Sequence, residues 1–141
     1  MQLPARISLL TLACRDVERM AQLFRDLGWP ETPGSDEYHR TFQCTNGVVI
    51  ACYAAKHYEP AFGPAADGFR GCTIAVNLES FAETQAVYET LRGIEGVELL
   101  GEPEEASWGG GFSWRDPDGN IWDVVWAKGT SFDDRGGLLF P

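Results

Sequence analysis

One order of elements occurs twice in these 141 residues, and that repetition confines the chain to a fold built from two similar halves. Residues 7–13 are a short apolar run of strand length. Asp16 follows as an N-cap, and Val17, Met20, Ala21, Phe24 and Leu27 recur at helical spacing until Gly28 closes the helix. Residues 38–44 and 48–53 then flank Thr45-Asn46-Gly47, a strong hairpin signal because Asn and Gly tolerate positive φ.

The second half follows the same plan. Residues 72–78 read as a strand, and Ser80 with Glu83 three positions on forms a capping box. Phe81, Val87, Tyr88 and Leu91 carry the apolar side of a helix that Gly93 ends. Residues 97–100 begin another strand, and residues 112–115 and 121–126 flank the turn Asp116-Pro117-Asp118-Gly119. A shift of 64 residues lays Asp16 on Ser80, Val17 on Phe81, Phe24 on Tyr88 and Leu27 on Leu91. In the hairpins Phe42 is laid on Phe112 and Asn46-Gly47 on Asp118-Gly119, which implies a longer turn in the second copy. The expected fold class is α+β, with tandem βαβββ modules over about residues 5–56 and 70–127 whose curved mixed sheets surround a shared cup. Together they form a single domain over 1–141, with an Ala/Gly/Pro-rich linker at 54–69 and a tail at 128–141.

Composition narrows the partners. The net charge of −10 opposes nucleic-acid binding, which rests on Lys and Arg neutralising phosphates. No basic helix suits an anionic membrane surface, and no apolar run approaches the ~18 residues of a membrane span. The first strand starts near Arg6, which leaves no room for a signal peptide, so a cytoplasmic location is expected. Cys14, Cys44, Cys52 and Cys72 show no C-x-x-C spacing and read as free thiols. His39 and His57 are far apart in sequence and show no paired ligand pattern.

The βαβββ unit used twice, the opening Leu12-Ala-Cys-Arg-Asp-Val-Glu-Arg, the run Phe24-x-x-x-Leu-Gly-Trp and the turn Asp116-Pro-Asp-Gly before an apolar strand with one acid together resemble the glyoxalase/bleomycin resistance/dioxygenase superfamily, the vicinal oxygen chelate proteins. The resemblance runs from about Arg6 to Trp126. It implies a cup in which each copy offers one metal ligand (His, Glu or Gln) from its first strand and one from its last. Alignment on the motifs places those positions at Leu9, Ala51, Thr73 and Asp123. Leu and Ala donate nothing to a cation and Thr is a poor ligand, so the expectation is no metal and no cofactor.

Strand alternation then suggests a lining for the cup. Pairing across the second turn is expected to set Trp114 opposite Ile121 and Phe112 opposite Asp123, so that both rings flank the carboxylate. Phe42, Cys44, Val49, Ala51 and Tyr53 are expected to line the first copy's share. Leu9 and Thr11 join them from one first strand, and Thr73, Ala75 and Asn77 from the other. The candidate ligand-binding set is Phe42, Tyr53, Thr73, Asn77, Trp108, Phe112, Trp114 and Asp123. Asp123 reads either as an orienting anion or general base, or as a leftover ligand position satisfied by an internal hydrogen bond or an arginine. Phe112 and Trp114 either stack a flat ligand or are plain core. Trp122 and Trp126 read as core. His57 either sits at a lid or pocket edge or is solvated. The run Trp108-Gly109-Gly110-Gly111 is either flexible backbone at the cup mouth or a bulged strand start.

The expected function is a glyoxalase/bleomycin-resistance-like protein that binds a small molecule, cationic or aromatic, in a metal-free cup bearing one acidic residue. The alternative is an enzyme of the same superfamily, a lyase, isomerase or dioxygenase, either metal-dependent or using Asp123 as base. Family resemblance also implies a homodimer.

Overall fold

The computed structural model describes residues Met1–Pro141 and divides into two compact units, Met1–Ala65 and Ala66–Pro141. The boundary falls inside the stretch read as a linker.

The first unit contains β1 (Leu9–Cys14), α1 (Val17–Asp26), β2 (His39–Gln43), β3 (Val49–Ala54) and α2 (Ala55–Phe62). The strand order is β1-β3-β2, with β1 parallel and β2 antiparallel to β3. Helix α1 begins where expected, for the Asp16 carboxylate accepts from the Arg19 N–H at 3.1 Å. It ends at Gly28, whose φ of +79° only glycine adopts without strain. Its buried Met20, Ala21, Leu23 and Phe24 pack on the sheet face that carries Phe42, Ile50 and Cys52. The Phe24 and Phe42 rings lie 5.2 Å apart. Burying each large side chain of this layer is worth about 1.5–3 kcal/mol. Between α1 and β2 the module's second strand shrinks to one bridge, Glu31 to Phe42. Helix α2 lies where a linker was expected.

The second unit contains β4 (Ile74–Asn77), α3 (Phe81–Arg92), β5 (Glu98–Leu99), β6 (Glu104–Ala106), β7 (Gly109–Arg115), β8 (Ile121–Ala127) and the small hairpin β9 (Ser131–Phe132) and β10 (Leu138–Leu139). The main sheet runs β4-β8-β7-β5, again with one parallel pair, β4 with β8, and β6 also pairs with β7. Ser80 caps α3 by accepting from the Glu83 N–H, and Glu83 reaches back to the Glu79 N–H. Phe112, Trp114, Trp122 and Val124 are buried on the face toward α3, where Tyr88 meets Phe112 edge-on at 5.2 Å. Trp114 and Trp122 stack at 5.4 Å.

The glycine run is strand. A Cβ on Gly109 or Gly111 would lie 2.0 Å from the Trp126 carbonyl or 2.1 Å from that of Val124. One on Gly110 would lie 2.6 Å from the Glu104 carbonyl in β6 and 2.8 Å from the ring of Phe81 in α3. Three side chains are missing because β6, β8 and α3 occupy their space.

Both hairpins close in the same way. The Cys44 N–H donates to Val48 O at 2.9 Å and the Gly47 N–H to Cys44 O at 3.1 Å. In the second unit the Asp116 N–H donates to Asn120 O and the Gly119 N–H to Asp116 O, both at 3.0 Å. Each is a three-residue loop with its glycine at positive φ, +94° for Gly47 and +86° for Gly119. The second turn is therefore no longer than the first, and a single shift of 72 residues relates the two hairpins. Phe42 corresponds to Trp114, not Phe112, while Ala51 still corresponds to Asp123.

That one-residue difference overturns part of the expected lining. Trp114 pairs with Trp122, Phe112 with Val124 and Ser113 with Asp123. Phe112 and Trp114 thus face α3 and do not flank Asp123. In the first hairpin Phe42 pairs with Ile50, which sends Phe42 under α1, and Cys44 lies outside the strands. A register step of one residue reverses every side chain on a strand.

Candidate functional site

The sheet face of the first unit that points away from α1 carries Thr11, His39 and Tyr53, and α2 lies along β1 and β3 on that side. Between them is an open groove of about 550 Å³ lined by Thr11, Asp36, His39, Tyr53, His57, Tyr58, Ala61 and Phe62. Each element contributes for a local reason. Alternation along β3 puts Tyr53 on this face with Ala51 and Val49. Helical spacing of four puts Tyr58 and Phe62 one above the other, their rings 4.9 Å apart.

Tyr53 is the hub. His39 meets it edge-on at 5.4 Å, Tyr58 at 5.9 Å, and the His57 ring lies 6.3 Å away. His57 also meets Tyr38 edge-on at 4.7 Å, and the Lys56 ammonium sits 4.7 Å from the centre of the Tyr38 ring. Asp36 shapes the rim, its Oδ1 accepting from the Tyr38 and His39 N–H groups at 2.8 and 2.9 Å. Its own N–H donates to His39 O at 2.8 Å. The groove therefore combines aromatic rings, two imidazoles, three hydroxyls and one carboxylate. Groups of this kind bind flat organic molecules and direct their polar edges.

A charge network braces the other side of the same sheet. Arg25 bonds Glu18 at 2.7 Å and Glu31 at 2.8 Å, and Arg40 bonds the same two acids at 3.1 and 3.2 Å. Bonding to Arg25, then to Arg40, holds the Glu31 carboxyl below the usual glutamate range against the opposing effect of burial. Glu31 and Glu18 in turn raise Arg25, which keeps its charge at any accessible pH. Burial alone pushes the Cys44 thiol up, which lowers its reactivity.

In the second unit Asp123 is half-buried and its Oδ1 accepts from the Ser113 hydroxyl at 2.5 Å. This is the internal hydrogen bond that the plainer of the two readings requires. Ala75 and Asn77 share its face, while Arg115 across the hairpin is engaged by Glu98 at 2.7 Å. Thr73 lies exposed ahead of β4, and Trp108 is exposed in the turn between β6 and β7. Of the eight candidate residues only Tyr53 lines the groove. Phe42, Phe112 and Trp114 are buried core, and Thr73, Asn77, Trp108 and Asp123 lie in the second unit. Asp36, His39, Tyr58, Ala61 and Phe62 line the groove from outside the candidate set, and the four-residue spacing of Tyr58 and Phe62 is the one sequence signal for them, masked by Pro60 and the glycines that follow.

The four metal positions implied by the resemblance fail on donor chemistry. Leu9 and Ala51 share one face of the first sheet and offer no lone pair, and Thr73 offers only a hydroxyl. Asp123 already serves as acceptor to Ser113. No group of three or more His, Cys, Asp or Glu side chains is gathered anywhere in the structure. These residues do not fit a divalent ion.

The model of the Glyoxalase/Bleomycin resistance protein/Dioxygenase superfamily matches residues 6–124. The chain belongs to this superfamily. Its fold is similar to that of a glyoxalase-related enzyme from Fulvimarina pelagi, at 22% identity and a TM-score of 0.83, covering 97% of this chain and 99% of that one. A glyoxalase/bleomycin resistance protein/dioxygenase family enzyme from Burkholderia phytofirmans PsJN shares 16% identity with a TM-score of 0.76, over 87% and 99% of the two chains. A lactoylglutathione lyase from Agrobacterium tumefaciens shares 15% with a TM-score of 0.69, over 89% and 96%. At these identities the likeness shows the α+β fold with its mixed sheets and nothing finer. No curated protein matches the sequence. No helix is long and apolar enough to cross a membrane.

Proposed function

We propose that this superfamily member binds a small organic molecule without a metal, in the groove between α2 and the first unit's sheet. The observation that carries the reading is the set of rings around Tyr53, opened on one side by a cavity of about 550 Å³, a volume typical of small-molecule sites. The acidic residue that serves this site is Asp36, in place of Asp123. The net charge of −10 and the tyrosine rings lining the groove favour neutral or cationic ligands over anions.

The alternative of a lyase, isomerase or dioxygenase working through Asp123 has less support. Leu9 and Ala51, two of the four ligand positions, carry no donor, and Ser113 engages the carboxylate that would act as base.

Titration of isotope-labelled protein with proflavine, 1-naphthol and naphthalene-2-sulfonate tests the proposal by NMR. Expected are saturable shifts of the Thr11, His39, Tyr53 and His57 amides, strongest for proflavine and weakest for the sulfonate. Three probes that leave these amides unmoved would falsify it. Retention of about one equivalent of nickel, zinc, iron or manganese after purification without chelator would overturn the metal-free part.

A further inference from the structure

Helix α2 is an unusual wall for a binding site, because little in its own sequence holds it in place. It has eight residues, fewer than the ~12 at which isolated helices become even marginally stable in water. Its N-cap is Ala54, which makes no capping bond, and neither terminus carries a charge that complements the helix dipole. Pro60 lies inside it and removes one backbone bond. None of its residues is buried, and Phe62 is 74% exposed. After Gly63, at φ +85°, every residue through Thr73 is exposed.

What fastens α2 is a few ring contacts, His57 on Tyr38 and Tyr53 and Tyr58 on Tyr53, together with the Lys56 ammonium over the Tyr38 ring. Such pairs are worth about 0.5–1.5 kcal/mol each beyond the area they bury. That is comparable to the cost of ordering the one or two residues that make them. The groove's other wall, by contrast, is a three-stranded sheet with a buried layer behind it.

We propose that the ligand orders α2. This rests on the groove being the ligand site. A flat aromatic molecule in the groove, packed across the Tyr53, Tyr58 and Phe62 rings, supplies the apolar contact the helix lacks. It closes the helix onto the sheet, and in doing so makes Tyr58 and Phe62 the residues that select flat ligands. Ligand affinity then equals the intrinsic affinity scaled by the fraction of molecules whose α2 is already closed.

Hydrogen exchange on the full chain, with and without saturating proflavine, tests this. The expected result is a slowing of about fivefold or more at the amides of Glu59, Ala61, Phe62 and Gly63, beyond any change in β3. Proflavine that shifts the Tyr53 amide while α2 exchange stays unchanged overturns ligand-ordered closure and leaves the binding site standing. Failure of proflavine to bind while 1-naphthol does removes the cation preference, and the exchange experiment is then read with 1-naphthol. Failure of both flat probes overturns the inference.

Two variants separate closure from a rigid wall. Pro60→Ala restores a helical backbone bond at an exposed position, so it should tighten proflavine binding about threefold by raising the closed fraction. An unchanged affinity means the helix is already fixed and sinks the idea. The double variant Tyr58→Ala/Phe62→Ala should weaken binding about tenfold or more while lowering the urea midpoint only slightly, since Tyr58 is half-buried and Phe62 exposed. Equal affinity in the double variant assigns selection elsewhere.

Discussion

The two hairpins share a turn, a register and a buried face, yet their other faces have diverged completely. On the side toward the long helix of each unit, Phe42 and Ile50 correspond to the stacked pair Trp114 and Trp122, and all four are buried. On the opposite side Tyr53 corresponds to Val125, His39 to Gly111, Thr41 to Ser113 and Ala51 to Asp123. The chain after each third strand differs as well, continuing into α2 in the first unit and into the β9–β10 hairpin in the second. Packing preserved what both units need to fold. The unpacked face was free to become an aromatic groove in one and a polar surface in the other.

Substitutions at corresponding positions test this division, and the largest contrast is expected at Gly111 and His39. Gly111→Ala forces a Cβ to within 2.1 Å of the Val124 carbonyl, so the urea midpoint should drop by the equivalent of about 3 kcal/mol. His39→Ala, at a half-buried groove position, should cost under about 1 kcal/mol. Similar losses at both would mean that the two faces are not built differently.

The turns come next. Asp116 is buried, and its carboxylate accepts from the N–H groups of Asp118 and Asn120, the Asn120 amide and the Trp122 indole N–H, all at 2.8–3.0 Å. Arg70 adds bonds to the Asp118 carbonyl and the Asn120 side chain. Asp116→Ala strands these donors and should cost about 2 kcal/mol in thermal unfolding, whereas Cys44→Ala at the corresponding position should cost less than half as much. An equal cost would show that the hydrogen bonds around Asp116 are replaced by water.

A smaller, pH-dependent difference is expected from Glu31, which pairs with Phe42 where Leu99 pairs with the corresponding Trp114. Its folded pKa lies below the ordinary value of 4.5, so its contribution is complete above that value and is lost as pH falls through the folded pKa. Glu31→Gln should therefore destabilise the first unit near neutrality by under about 1 kcal/mol, given that its partners are part-exposed, and match the wild type in strong acid. A gap that persists at pH 2 would point to packing rather than charge.

The smallest effect concerns the thiols. Cys72 in the second unit is exposed, Cys14 and Cys52 are buried, and Cys44 is half-buried with a raised pKa. One fast iodoacetamide adduct, at Cys72, is the expected mass-spectrometric result. Fast labelling at Cys52 would indicate that the first sheet opens readily.

Much of this architecture was legible from residues alone. Asp16 and Ser80 marked helix starts, Asn46-Gly47 and Asp118-Gly119 marked turns, and the 64-residue shift of the helices revealed the duplication. The caps and turns depend on chemistry within a few residues, and the shift only compares two such local patterns. The resemblance supplies the four metal positions, and only their donor chemistry is read from the residues, since Leu9 and Ala51 carry no donor atom.

Tertiary structure decided the rest. Whether a turn holds three residues or four is settled by which backbone groups meet across it, and that one step moved Phe42, Phe112 and Trp114 from the expected lining into the core. Helix α2 has too few residues, no cap and an internal proline, so no local signal declares it; it exists where its rings find Tyr53 and Tyr38. His39 and His57, distant in sequence, flank one tyrosine because β2, β3 and α2 fold onto each other. Local propensity wrote the two modules, and the contacts between their elements made a groove in one of them.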